Sequence, residues 1–284
     1  MIFVTGASGN VGTAVVEHLR DRQLPCRVGS RKANVLTIEN GVEIVPFDFL
    51  KPTTYATAVQ GCHAVFLLRP PAIADTRQTL NVFLDVARTQ GVEQVVFISV
   101  AGAADNPMVP HHAVEQHLQR DAAGWTILRP GFFAQNLGDA YRDDILADDR
   151  LYVPAGSGRV AFIDARDIAE VAVQILADPT SHQAQSYTLT GSEAITFTQV
   201  ANLLTEMLER PIRYQPASIW GYITHLKRQR RLPIAQTLVQ TVLHVGLRFG
   251  QAETVDDTLA HLLKHQPRTM RDYIQDYRSL WLKT

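Results

Sequence analysis

Ile2-Phe3-Val4-Thr5-Gly6-Ala7-Ser8-Gly9-Asn10-Val11-Gly12 is an apolar run that breaks into glycines spaced three apart. A strand, a Gly-x-x-Gly-x-x-Gly turn and then a helix make up a dinucleotide-binding fingerprint, because each glycine answers a separate steric demand. Gly6 permits the sharp exit from the strand. Gly9 lets the backbone come close to a pyrophosphate, and Gly12 lets the following helix pack tightly on the strand. The helix's free N–H groups and positive dipole end then face the phosphates. Val11, Val15, Val16 and Leu19 mark one face of that helix, and Cys26-Arg27-Val28-Gly29-Ser30 supplies a second strand. Gly6, Ala7, Ser8, Gly9, Asn10, Val11 and Gly12 are therefore candidate cofactor contacts, and the chain is expected to bind a dinucleotide.

Outward from this turn, apolar strands alternate with helices. Strands are predicted over 2–5, 26–30, 42–45, 64–68, 94–99 and 125–128, with helices near 11–21, 53–59, 75–89 and 112–123. Val95-Val96-Phe97-Ile98 has no polar face, as befits a central strand covered on both sides. The pattern predicts an α/β fold, a Rossmann-type doubly wound parallel sheet. After Pro130 the rhythm changes: loop and helix over 131–149, short strands at 151–154 and 160–163, a helix at 168–176 and a last strand at 186–189. From Thr196 onward helices dominate, at 197–208, 219–227, 234–245 and 270–282. The expected organisation is an NAD(P)-binding domain over 1–190, with 131–158 contributing to the cleft, and a small, mostly helical C-terminal cap over 191–284.

Composition narrows the function classes. Lys plus Arg total 27 against 28 Asp plus Glu among 284 residues, which gives no global attraction to nucleic acid or an anionic membrane. The local basic run Lys227-Arg228-Gln229-Arg230-Arg231 reads as a solvated helix end. No apolar run is long enough to span a membrane. The first strand starts at once and leaves no room for a signal peptide. Cys26 and Cys62 are the two cysteines and lie in core-like segments, which predicts a reducing, cytoplasmic setting. The histidines lack a metal-ligand spacing, so no metal is predicted.

Strand ends carry the remaining cofactor candidates. An acid after the second strand bonds a ribose 2′-hydroxyl, whereas Arg neutralises a 2′-phosphate. Here the strand runs into Arg31-Lys32 with no acid before Glu39, favouring NADP(H) over NAD(H). Asp48 follows the third strand and can accept from an adenine amino group or close a turn. Leu68 and Arg69 end the fourth strand, where the backbone passes the second ribose. Ser99 closes the fifth.

Together with the glycine turn, Arg31, Asp48 and the helix bearing His111 and Glu115, three further segments carry a family resemblance. They are Ile127-Leu128-Arg129-Pro130-Gly131-Phe132-Phe133-Ala134-Gln135-Asn136, Phe162-Ile163-Asp164-Ala165-Arg166-Asp167-Ile168-Ala169, and Tyr187-Thr188-Leu189-Thr190-Gly191. The chain resembles the NmrA-like branch of atypical short-chain dehydrogenases over nearly its whole length, most weakly after about Pro216. It is most similar to bacterial members of the NAD(P)H:quinone oxidoreductase and triphenylmethane reductase kind. The resemblance implies a Rossmann domain with a small cap and a cleft where nicotinamide and substrate meet. It makes Gly131, Phe132 and Asn136 candidates for the nicotinamide end, and Arg166 a position near the cleft.

The chain lacks the Tyr-x-x-x-Lys couple in which lysine lowers a tyrosine pKa for proton transfer to a carbonyl. None of its eight Tyr residues has Lys four positions on. The corresponding helix instead carries His111 and Glu115, i and i+4 on one face. Functionally His111 could donate a proton while Glu115 orients or charges it; otherwise they form a surface pair. The expectation is an NADPH-dependent oxidoreductase passing hydride to a small planar, quinone-like or aromatic acceptor, with Phe132 and Phe133 available to stack on it. The alternative is a catalytically silent redox sensor acting through a regulatory protein partner. A homo-oligomer is compatible with either.

Overall fold

The structure, a computed structural model, describes residues 1–120 and 124–283. Its first part runs β1 (Ile2–Val4), α1 (Asn10–Asp21), β2 (Cys26–Ser30), β3 (Thr37–Glu39), β4 (Val42–Pro46), α2 (Tyr55–Val59), β5 (Ala64–Leu68), α3 (Val82–Thr89), β6 (Gln94–Ile98), α4 (Pro110–Gln119) and β7 (Gly124–Pro130). There follow β8 (Phe132–Phe133), α5 (Asn136–Asp139), α6 (Arg142–Asp148), β9 (Arg150–Leu151), β10 (Arg159–Ile163), α7 (Ala165–Ala177) and β11 (Gln185–Leu189). The remainder is β12 (Ala194–Thr196), α8 (Phe197–Leu208), β13 (Arg213–Tyr214), α9 (Ile219–Arg228), α10 (Ile234–Gly246), α11 (Thr258–Leu263) and α12 (Met270–Asp276). The predicted extension of the α4 helix over 121–123 lies outside the described residues.

Eight strands form one sheet in the order β11-β7-β6-β5-β1-β2-β4-β3. All its neighbours pair parallel except the β3–β4 hairpin. The chain winds outward from β1 through β2 and β4, then returns to β5 and winds the other way. This doubly wound, Rossmann-type order puts the topological switch between β1 and β5, where ligands bind beyond the carboxyl ends of the strands. Strand β3 lies outside the predicted strands; Asn40 (φ 50°) and Gly41 (φ 79°) form the two-residue turn that brings it back onto β4.

The chain divides into two compact units, Met1–Pro130 with Ala165–Leu189, and Gly131–Asp164 with Thr190–Thr284. In the first, α1 packs along α7. A separate core gathers residues of α2, α3 and α4 against alternate strand positions such as Phe3, Val65, Leu67, Val95 and Phe97, as a period of two requires. Phe3, Phe47, Phe49, Tyr55 and Phe83 form its aromatic heart, with ring centroids 4.8–6.0 Å apart. The second unit is mostly helical and holds two small sheets, β12-β10-β8 and β13-β9. Residues 131–164 cluster with it rather than with the sheet that precedes them in sequence. The reason is apolar: Leu137, Tyr141, Ile145, Leu151 and Val160 share a core with Phe197, Val200 and Leu204 of α8.

Gly29, within β2, shows how tightly the aromatic heart closes. A Cβ there would lie 2.9 Å from Phe3 Cζ and equally close to Phe47 Cβ and Cδ1. Gly29→Ala is expected to overpack this site and destabilise the protein by about 1–3 kcal/mol, read as a lower urea midpoint with an unchanged slope.

Candidate dinucleotide site at the carboxyl edge of the sheet

The glycine turn leaves β1 with Gly6 in the left-handed region, φ +68°, where an L side chain is strained. Gly6 also lies under Leu68, whose Cδ2 would be 3.0 Å from a Cβ. Gly12 is held harder still: its Cβ would sit 2.2 Å from the Gly6 carbonyl oxygen and 2.8 Å from Ala7 Cα. Gly9 differs, since a Cβ would meet only the Gly6 oxygen at an ordinary 3.5 Å. The fold itself therefore demands Gly6 and Gly12, while the bareness of exposed Gly9 serves whatever approaches from outside. Gly9 N–H donates to Gly6 O (3.0 Å), and Thr13 Oγ1 donates to Ala7 O (2.9 Å), closing the turn. Thr5 Oγ1 accepts the Leu68 N–H (2.8 Å) and donates to Phe66 O (3.2 Å), tying β1 to β5 at the switch point.

Gly9 is the N-cap of α1, no side chain caps the helix, and its first turn contains no acid. Exposed Ser8, Gly9 and Asn10 thus surround a helix end with its positive pole uncompensated. Val11 and Gly12 are buried, so they can contribute only backbone. An anionic pyrophosphate fits this cradle in both charge and steric room.

Because β1, β2, β4, β5 and β6 run parallel, the residues following each one lie along the same edge. Arg31 and Lys32 are exposed just beyond β2. Asp48 follows β4, where its Oδ1 accepts the Leu50 N–H (3.0 Å) in a turn. Arg69 leaves β5 committed to the chain beside it: Nη1 donates to the carbonyls of Pro70, Pro71 and Ile73, and Nε donates to His111 Nε2 (3.2 Å).

Helix α4 brings His111 and Glu115 to this edge, both buried, but the two do not pair with each other. Glu115, 1% exposed, accepts the Ser99 hydroxyl and binds Arg129 in bidentate fashion, with Nη2–Oε2 at 2.7 Å and Nε–Oε1 at 3.1 Å. The expectation that Glu115 orients or charges His111 is thereby corrected: β7 supplies an arginine that takes the carboxylate. His111 Nε2 accepts from Arg69, so the ring proton sits on Nδ1, a buried atom with no hydrogen-bond partner among the described residues. Burial, reinforced by the Arg69 charge, pushes the His111 pKa down to about 3. At neutral pH the ring is uncharged and can offer a hydrogen bond from Nδ1.

Comparison with known proteins agrees with this geometry. The profile of NAD(P)H-binding domains matches residues 6–179, beginning at the first glycine of the turn. The NAD(P)H azoreductase of Xenophilus azovorans is 37% identical over 221 residues, covering 75% of this chain and 76% of its own. The chain belongs to this NAD(P)H-binding oxidoreductase family. Two solved structures share the fold. The Citrobacter sp. triphenylmethane reductase complexed with NADP(H) has a TM-score of 0.84 at 21% identity, covering 97% of this chain and 99% of its own. The NADPH-dependent quinone oxidoreductase of Escherichia coli complexed with NADPH has a TM-score of 0.83 at 24% identity, with the same coverage. The NmrA-like resemblance read from the sequence holds.

Within this NAD(P)H-binding fold, Gly131, Phe132 and Asn136 belong to the second unit. Phe132 packs edge-on against Phe162 and His244, with centroids 5.7 Å away in each case, and Asn136 opens α5. The residues not singled out by sequence are Thr5, Thr13 and Arg129. Their types carry no signal alone, since each acts through a partner distant in the chain or through a backbone carbonyl.

Gly9→Ala is expected to leave stability within about 0.5 kcal/mol yet weaken dinucleotide binding about tenfold or more. Gly12→Ala should lower both stability and binding; calorimetric titration beside urea unfolding separates the two. The low His111 pKa also has a stability consequence. Its folded value lies below the unfolded 6.5, so its contribution is complete above pH 6.5 and is lost as pH falls toward 3. His111→Gln should therefore shrink the stability lost between pH 7 and pH 5 by about 2 kcal/mol, measured by urea unfolding at both values.

Proposed function

We propose that this protein is an NADPH-dependent reductase that delivers two electrons to a small planar acceptor, of the quinone, azo or aromatic-dye class. The observation that carries the reading is the glycine cradle, whose middle glycine has no internal steric duty and faces an uncapped helix end. Support for the acceptor class comes from relatives named as an azoreductase, a quinone oxidoreductase and a triphenylmethane reductase.

In this reading the backbone of residues 6–12 and the N-terminus of α1 hold the pyrophosphate. Arg31, with Lys32 beside it, is available to a 2′-phosphate and gives the preference for NADP(H) over NAD(H). Asp48 spends one carboxylate oxygen on its own turn, which leaves the other to accept from an adenine amino group. The reduced nicotinamide, when bound, supplies hydride. Gly131, Phe132 and Asn136 as contacts to it rest on the family resemblance alone.

Glu115 is a positioning residue here. Its bonds to Ser99 and Arg129 join α4 to the ends of β6 and β7 and leave its carboxylate no role as a base. His111 is uncharged at neutral pH, so its service is a hydrogen bond from Nδ1 to a bound ligand rather than the delivery of a proton. Reduction of a quinone needs no enzymatic acid, because water can protonate the product oxygens. Cys26 and Cys62 are both buried and free, which suits a reducing, cytoplasmic setting.

NADPH oxidation by the purified protein is expected to be saturable with a naphthoquinone and an aromatic azo dye as acceptors. Arg31→Ala should raise the KM for NADPH about tenfold and leave that for NADH nearly unchanged. Tight NADPH binding without consumption against either acceptor would defeat the reductase reading and favour the sensor.

A further inference from the structure

Helix α10 presents its faces in the reverse of the usual order. Its buried side chains are Thr237, Thr241 and His244, whereas those of α8 are Phe197, Val200, Ala201, Leu204 and Leu208. The inward polar groups are satisfied locally. Thr237 and Thr241 donate to the carbonyls of Pro233 and Thr237, and His244 Nδ1 donates to that of Gln240, each four residues back. His244 Nε2 is thereby left to accept the Tyr141 hydroxyl. None of the aliphatic residues of α10 enters the core of the second unit. Ile234, Leu238, Val239, Val242 and Leu243 stand 48–68% exposed, and Phe249, just beyond the helix, is 82% exposed. A contiguous apolar surface of this kind marks an interaction site.

Three observations identify the occupant. First, the exposed residues lie in two adjacent rows of four-residue spacing, 234-238-242 and 235-239-243, the ridges with which two helices interlock at about −50°. Second, 234–246 contains no Asp, Glu, Lys or Arg, matching the charge-depleted centre of a protein interface. Third, the ends of this stretch carry opposite charge. Exposed Lys227, Arg228 and Arg231 precede it; exposed Arg248 and then exposed Glu253, Asp256 and Asp257 follow it, with Glu253 3.7 Å from Arg159, so the second end keeps a net negative charge. Antiparallel pairing about a two-fold axis sets the basic end of each copy against the acidic end of the other, as a self-complementary patch requires. An anionic lipid surface would attract one end and repel the other.

The scale also fits. The helix is 13 residues long, about 20 Å. Helix α9, packed against it, adds Ile219 and Trp220, 44% and 79% exposed, toward the roughly 800 Å² per partner of a specific interface. We propose that α10 forms the core of a homodimer, pairing antiparallel with α10 of a second copy. This inference does not depend on the reductase reading, and its test uses no nucleotide.

Sedimentation of the full chain across micromolar concentrations is expected to give twice the chain mass. Leu238→Glu combined with Val242→Glu should yield the chain mass at the same concentrations, weakening dimerisation about 100-fold or more, with unchanged circular dichroism. Arg228→Glu with Arg231→Glu should weaken it about tenfold, and adding Glu253→Lys with Asp257→Lys should restore it. These charge changes sit on exposed positions and keep the test decisive if the double glutamate variant misfolds. A wild-type chain that remains monomeric overturns the proposal, as does a dimer indifferent to the helix substitutions or a charge exchange that fails to restore association. A monomer that instead co-sediments with phosphatidylglycerol vesicles overturns it too, and gives the face to lipid.

Discussion

Everything at the carboxyl edge of the sheet depends on the contact between Gly12 and the turn below it. A single methyl at Gly12 would stand 2.2 Å from the Gly6 oxygen, so α1 can start where it does only because that methyl is missing. The contact seats α1 on the sheet, and α1 in turn lies along α7. It also leaves the first N–H groups of the helix pointing outward with neither a capping side chain nor an acid nearby. Thr5 adds the complementary restraint by binding the β5 backbone on both sides of Leu67. The anion site we propose there is thus a product of steric closeness within the protein rather than of charged side chains.

A second layer of restraint lies beside it. Glu115 is almost completely buried and would be costly as a lone charge; Arg129 and Ser99 satisfy it and so fix α4 to β6 and β7. Such a buried pair is weak ground for a stability claim, because desolvation offsets much of its attraction, but it constrains position strongly. Arg69 does the same for the chain after β5 while holding His111 in one tautomer. At this edge Glu115 is closed by Arg129, Arg69 is held by carbonyls and the neutral His111 ring, and Arg31 and Lys32 stay exposed.

The turn, the parallel strands around it and the helices flanking them were legible in the sequence because each is encoded locally. Residues 94–98 form a strand buried at every position, as an unbroken apolar run predicts. The β3–β4 hairpin was equally local, through Asn40-Gly41, but β3 is three residues long and exposed, so it lacks the apolar alternation that marks a strand. The His111–Glu115 spacing correctly placed both residues on one helix face. Their partners come from β5 and β7, 42 and 14 residues away, and no local pattern specifies which strand end delivers a cation to which side chain.

The sequence by itself determined the Rossmann-type order and the dinucleotide turn, because backbone sterics and period-two burial act over a few neighbouring residues. Only the tertiary structure decided that 131–164 joins the second unit, through strand pairings of β10 with β8 and β12 that link residues about thirty apart. It alone decided which way α10 faces. Periodicity shows that a helix has an apolar side, but burial is settled by whether the opposite side can satisfy its polar groups. In α10 the threonines and His244 do so by bonding their own helix and Tyr141, which frees the apolar side to face outward.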